Sequence, residues 1–190
     1  MAILGTLLKN KHAGDERLAW NLPSLAGPET LALASTAFGH EGDIPKPHAG
    51  RLVGGKDLSP ALSWTGVPEG TAQLLLVVED IDAPSRSPIV HCLALLDADL
   101  RELPEGALDS KHPAAGVTTL RSTIGRGYRG PGPIKGHGPH RYVFQLFALP
   151  AALTEAAVGG PLAKAKPRTV IAASTGDVLA RTRLDGFYER

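Results

Sequence analysis

The sequence predicts a mostly β protein, and three observations carry that expectation. The 190 residues include 22 Gly and 16 Pro, a density that requires many turns and argues against a helix bundle. Gln73–Glu79 (QLLLVVE) and Ile89–Leu96 (IVHCLALL) are continuous apolar runs of strand length, as expected of strands buried on both faces. Gly125–Pro139 holds six Gly and three Pro, through which no helix can run, and it feeds an apolar, aromatic strand at His140–Leu149.

In chain order, residues 1–28 read as an N-terminal arm and residues 29–190 as the domain. Leu18–Leu22 is expected to dock on the core, with Pro23 ending that piece. Thr30–Phe38 alternates apolar with small or polar residues and predicts a strand. Residues 39–55 are loop, rich in Gly, Pro and His. Leu62–Trp64 is a short strand closed by Gly66 and Pro68. The first apolar run ends in a polar loop, Asp80–Pro88, and the second follows it. Residues 108–124 carry no clear pattern, and residues 151–161 form a small-residue linker. Pro167 suits the first turn of a helix with Val170, Ile171, Ser174 and Val178 near one face. Thr169, Val170, Thr175 and Gly176 make that helix intrinsically weak. Arg181–Tyr188 alternates enough to close the sheet.

The net charge of +1 gives no bulk electrostatic case for nucleic acid or membrane binding. A single cysteine, Cys92, precludes an internal disulfide and fits a reducing compartment. The apolar start, residues 1–8, lacks a basic leader and a cleavage site, and no segment reaches the roughly 20 apolar residues of a membrane span. The expectation is a soluble, cytoplasmic protein without stable membrane insertion.

Gly125, Gly127 and Gly130 match the spacing of a dinucleotide-binding fingerprint, but Pro131-Gly132-Pro133 follows, so no helix starts to meet a pyrophosphate. Lys135 precedes Gly136, not Ser or Thr, so the loop is not a P-loop. Three other groups would meet if their strands were neighbours: Asp80 and Asp82 past one strand, His91 early in the next, and His140 and Tyr142 opening the third. His140 and Tyr142, two apart, share a face, and Arg141 points away. A carboxylate beside an imidazole favours the imidazolium, so two histidines, a phenol and loop amides would hold a phosphate or carboxylate. Each residue also has a plainer reading. His91 fits a hydrogen-bonded core residue, Asp80 and Asp82 fit turn residues, and Tyr142 fits strand packing. Lys135 and His137 are expected on the exposed loop, with Arg141 in an ion pair or on a ligand.

Asp80-x-Asp82-Ala83-Pro84-Ser85-Arg86, then His91, then Gly132-Pro133-x-Lys135-Gly136-x-Gly138-x-His140-Arg141-Tyr142-Val143-Phe144, resembles the two signature regions of the phosphatidylethanolamine-binding protein family, which includes the Raf kinase inhibitor protein. Residues 58–70 and 176–188 resemble its bacterial branch. The resemblance implies an antiparallel β-sandwich-like domain, with a large central sheet, a smaller sheet and a few short helices, one near the C-terminus. It implies an anion pocket drawn from Asp80, Asp82, His91, Gly130, Gly132, Pro133, His140 and Tyr142. The ligands implied are phosphate, carboxylates and phosphoethanolamine head groups, and the partners implied are a kinase or protease inhibited through protein contacts, with a homodimer as in some bacterial relatives. No cofactor, metal or catalytic residue is implied. A metal-dependent hydrolase is the remaining rival, without an H-E-x-x-H pair or nucleophile elbow behind it. The sequence departs from the family pattern at Ile81, in place of the middle Pro of Asp-Pro-Asp, and at Ile134, in place of a second Pro. It also departs at Ile89, Val90 and Cys92, where aromatic residues commonly flank the pocket histidine.

Overall fold

A computed structural model describes residues 2–174 and 177–190. Among the described residues, nine strands form two sheets. They are β1 Ala32–Ala34, β2 Gly42–Asp43, β3 Leu62–Thr65, β4 Gln73–Asp80, β5 Ile89–Asp97, β6 Glu102–Leu103, β7 Val117–Thr119, β8 His140–Leu149 and β9 Ala180–Tyr188. The small sheet has the order β1-β3-β6 and the large one β2-β9-β8-β4-β5-β7. The helices are short: α1 Ala2–Leu8, α2 Glu155–Val158 and α3 Pro167–Ala172. The expected mostly β architecture, with one sheet larger than the other and a helix near the C-terminus, is present. The large sheet is not wholly antiparallel, however, because β2 pairs in parallel with β9.

The apolar runs behave as two-faced strands. On β4, Leu74, Leu76 and Val78 enter one core, shared with Trp64 and Leu103 of the small sheet. Leu75 and Val77 enter a second core with Phe147, Val170 and Ile171. Each fully buried Leu or Val contributes about 1.5–3 kcal/mol of transfer free energy, so an unbroken apolar run is what a strand covered on both sides requires. Cys92 lies in the first core, where burial pushes its thiol up to about 12 and keeps it protonated.

Three elements differ from their sequence-based expectations. The strand expected over Thr30–Phe38 shrinks to β1, because the Ser35 hydroxyl bonds Ala61 O at 2.7 Å and accepts from Ala37 N at 3.1 Å, turning the chain. Helix α3 ends at Ala172, which leaves Ser174 and Val178 beyond it, and Thr175 and Gly176 lie outside the described residues. The patternless segment 108–124 contains the edge strand β7.

The arm docks where Leu18–Leu22 places it. Leu18, Ala19 and Leu25 are buried. Ala19 N donates to Glu79 Oε2 at 2.8 Å and Trp20 N to Gln145 Oε1 at 2.7 Å. The Arg181 guanidinium lies 3.9 Å from the Trp20 ring centre, a cation–π contact.

Candidate functional site

Strands β8, β4 and β5 are consecutive in the large sheet, so Asp80, His91, His140 and Tyr142 do meet at one end of it. Asp80 stands opposite Tyr142 on β8 and Ile89 on β5. Between Val78 and Glu79 the β4–β5 register slips. Val78 pairs with Cys92 and Glu79 with Val90, so His91 is the extra residue of a bulge. That bulge turns His91 onto the face of Tyr142, and their rings meet edge to face at 5.1 Å. The His140 ring is stacked near-parallel to Tyr142, with ring centres 6.4 Å apart.

Asp80, His91 and His140 form the polar end of a cleft of about 1230 Å³ whose remaining walls are largely apolar, including Val53, Pro84, Ile89, Ile124, Pro133 and Ile134. Gly130 and Gly132 also line it. Gly130 is required by close approach: a Cβ there would overlap the backbone of His48–Gly50. Its own amide donates to Asp57 Oδ1 at 2.9 Å.

Asp80 ends β4 by folding the chain around its carboxylate. Its Oδ1 accepts from the amides of Asp82, at 2.9 Å, and Ala83, at 3.0 Å. Its Oδ2 lies 2.8 Å from His140 Nδ1. Asp82 turns off to the other side. Its Oδ2 accepts from Arg141 N at 2.7 Å and its Oδ1 lies 3.1 Å from His12 Nδ1. It lines a separate polar cleft with Arg141 and Asp185, not the large one. Arg141 points away as expected, pairing with Asp185 at 2.9 Å.

His137 is not the exposed loop residue the Gly/Pro composition suggests. It is buried, with Nδ1 2.8 Å from His140 Nε2 and Nε2 3.1 Å from the Lys11 carbonyl. Lys135 is exposed, as expected. The chain Asp80–His140–His137–Lys11 O contains three hydrogen bonds between two oxygen acceptors and four ring nitrogens. The chain occupies both ring nitrogens of His140, leaving that ring no donor for a ligand.

His91 is buried but lines the cleft. Its Nδ1 lies 2.7 Å from Arg129 O; a carbonyl only accepts, so Nδ1 carries the proton and Nε2 holds a lone pair. The expectation that a neighbouring carboxylate keeps this ring cationic is overturned. Burial lowers its pKa, and the Asp80 charge only partly offsets that, so His91 is neutral near pH 7. Tyr142 stays a phenol, because burial and then the Asp80 charge raise its pKa well above the usual value. Its hydroxyl is buried beside Asp80 and the Gly132 amide, yet has no hydrogen-bond partner among the described residues. A buried donor without a partner costs about 1–3 kcal/mol.

Sequence reasoning missed the cleft's cations, Arg51 and Arg129, which lie 3.8 and 3.7 Å from Asp57 Oδ2. No spacing signal marks them, since they reach the cleft from two loops that only the fold brings together. With Asp57 committed to them and Asp80 to its chain, neither carboxylate of the cleft faces an incoming ammonium.

With that geometry in place, a family model described as phosphatidylethanolamine-binding protein matches residues 34–189. The chain belongs to the phosphatidylethanolamine-binding protein family. A UPF0098 protein of Aquifex aeolicus is 32% identical over 166 residues, covering 87% of this chain and 92% of its own. One from Methanothermobacter thermautotrophicus is 34% identical over 161 residues, covering 84% and 99%. Among solved structures, Escherichia coli YbcL, described as a member of the mammalian family, superposes with a TM-score of 0.74 at 26% identity, over 85% of this chain and 99% of YbcL. No helix among the described residues is long and apolar enough to cross a membrane.

Proposed function

We propose that the chain is a binding protein whose large cleft takes the phosphoryl or carboxylate group of a partly apolar ligand. The observation that carries this reading is the unpartnered Tyr142 hydroxyl, whose ring packs against His91, a residue that lines the cleft. An anion oxygen there accepts from the phenol. It also draws a proton onto His91 Nε2, which then donates to the same ligand. Arg129 and Arg51 supply long-range positive charge, and the apolar walls bury the rest of the ligand. Asp80, His140 and His137 hold the wall in place. Gly130 and Pro133 shape the loop that closes it, and Gly132 brings its backbone to the ligand.

The binding should therefore be coupled to one proton. Sulfate does not titrate near neutral pH, so its affinity reports on the protein alone. Because His91 is neutral when free and charged when bound, sulfate affinity is expected to rise as pH falls from 7.5, by up to about tenfold per unit. Calorimetric titration checks this. Tyr142→Phe is expected to lose about tenfold in affinity, and His91→Ala to lose the pH dependence, with circular dichroism unchanged in both. Affinity untouched in both variants would remove the reading.

A further inference from the structure

The family match covers residues 34–189, and the arm that precedes it is held in two unequal pieces. Residues 17–25 are clamped to the domain. Leu18, Ala19 and Leu25 are buried, and the Ala19 and Trp20 amides donate to Glu79 and Gln145. Arg168 and Arg181 donate to the carbonyls of Arg17, Trp20 and Leu25. From Ile3 to Arg17, by contrast, Gly5 is the one buried residue. A segment held by a few contacts at the surface opens locally while the rest of the fold stays closed.

Those few contacts fall on the two loops behind the cleft's polar end. On the turn that follows Asp80, Gly14 N donates to Ile81 O at 3.0 Å, and His12 Nδ1 lies 3.1 Å from Asp82 Oδ1. On the Gly/Pro loop, the Lys11 carbonyl lies 3.1 Å from His137 Nε2, and the His12 ring meets the His137 ring edge to face at 5.3 Å. Gly5 packs on the backbone of the same loop, where a Cβ would overlap the Lys135 carbonyl and the His137 amide. His137 in turn bonds to His140, and His140 to Asp80. A carbonyl only accepts, so His137 Nε2 donates to Lys11, which fixes that ring from the side away from His140.

We propose that residues 2–14 are a regulatory strap: docked, they organise the cleft wall for its anion, and the bound anion in turn holds them down. The inference rests on the reading of the cleft as an anion site. The docked strap ties the 80–82 turn to the 135–140 loop and so fixes Asp80 and His140 beside Tyr142. Release takes the Lys11 carbonyl from His137 and both outer ties from the turn. The wall is then loose, and a ligand must order it on binding, which weakens affinity. Coupling of this kind is reciprocal, so whatever strap docking adds to anion affinity, the anion adds to strap docking. Anything that draws residues 2–14 away therefore lowers the cleft's hold on its ligand.

The test uses the full chain, sulfate as the probe, and the Gly5→Ala/His12→Ala double variant. The new Cβ at position 5 has no room against the loop backbone, and His12 no longer joins Asp82 to His137. Neither residue belongs to the two cores, so the variant should melt like the parent. Calorimetric titration is expected to show about a tenfold loss of sulfate affinity, with the pH dependence set by His91 retained. Amide hydrogen exchange reads the same coupling in the unaltered chain. Sulfate should slow exchange at Gly14 by a factor that levels off at the value by which the variant loses affinity. Equal sulfate affinity in parent and variant would overturn the strap alone, as would Gly14 exchange that sulfate leaves unchanged. Protection at Gly14 that keeps rising with sulfate would overturn it too, because that is the mark of whole-fold stabilisation. A parent that binds no sulfate would overturn the cleft reading, and the strap with it.

Discussion

Asp80→Ala is expected to lose about 3–5 kcal/mol of folding stability, measured by urea denaturation, and to lose anion binding with it. The carboxylate is 4% exposed and gathers two backbone amides and the His140 ring at the end of β4. Alanine leaves the two amides and the His140 ring without their acceptor. Asp80→Asn separates the two roles of the carboxylate. The amide oxygen still accepts from Asp82 N and Ala83 N, and the amide nitrogen donates to His140 Nδ1. His140 Nε2 then donates to His137, and His137 Nε2 to Lys11 O, with every bond made by two neutral rings. Asp80→Asn is therefore expected to recover most of the stability that Asp80→Ala loses. A loss as large as alanine's would mean that the carboxylate charge, and not its hydrogen bonds, holds the turn.

Arg168→Ala is expected to have a comparable effect at the opposite face of the sheet, about 3–5 kcal/mol, with a distinctive pH dependence. Glu79 is wholly buried, and Arg168 lies 2.6 Å from its Oε1, close but poorly aligned for a hydrogen bond. Ala19 N and Gln145 Nε2 donate to Oε2. Burial raises the Glu79 pKa, and Arg168 is the strongest influence opposing that rise. A carboxyl whose folded pKa lies above its unfolded value contributes stability that is full at low pH and lost as pH rises through the folded pKa. Without Arg168 the folded pKa rises further, so the variant's deficit should be larger at pH 8 than at pH 5. An equal deficit at both would mean that the ion pair is not what sustains the buried charge. Arg168 also donates to the carbonyls of Arg17 and Pro88, so the arm should become protease-sensitive in this variant.

What the sequence made legible follows from where the physics is local. The strands β4, β5 and β8 were readable because each is a continuous apolar run and burial on both faces needs nothing else. The Gly/Pro loop was readable because its composition excludes every regular alternative. The meeting of Asp80, His91, His140 and Tyr142 was anticipated as a condition on strand order, and the order β8-β4-β5 meets it. The bulge at His91 was not legible, since nothing in Ile-Val-His-Cys marks the extra residue. The burial of His137 was not legible either. It depends on Lys11, 126 positions away, and composition assigns a Gly-rich loop to the surface. The charge state of His91 was misjudged because a nearby carboxylate is visible in sequence and the depth of burial is not. Asp82 was expected in one pocket with Asp80; the turn that Asp80 itself nucleates sends it elsewhere.

The central claim is that His91 and Tyr142 read an anion and that no cleft carboxylate reads an amine. An NMR titration of the histidine ring protons, with inorganic phosphate and then with O-phosphorylethanolamine, tests it most directly. The seven histidines report separately. The account predicts a saturable shift of the His91 ring in both titrations, with similar affinities, while the exposed His112 ring does not saturate. A His91 ring unmoved by either ligand would contradict it, and saturation by O-phosphorylethanolamine alone would show that the cleft reads the ammonium after all.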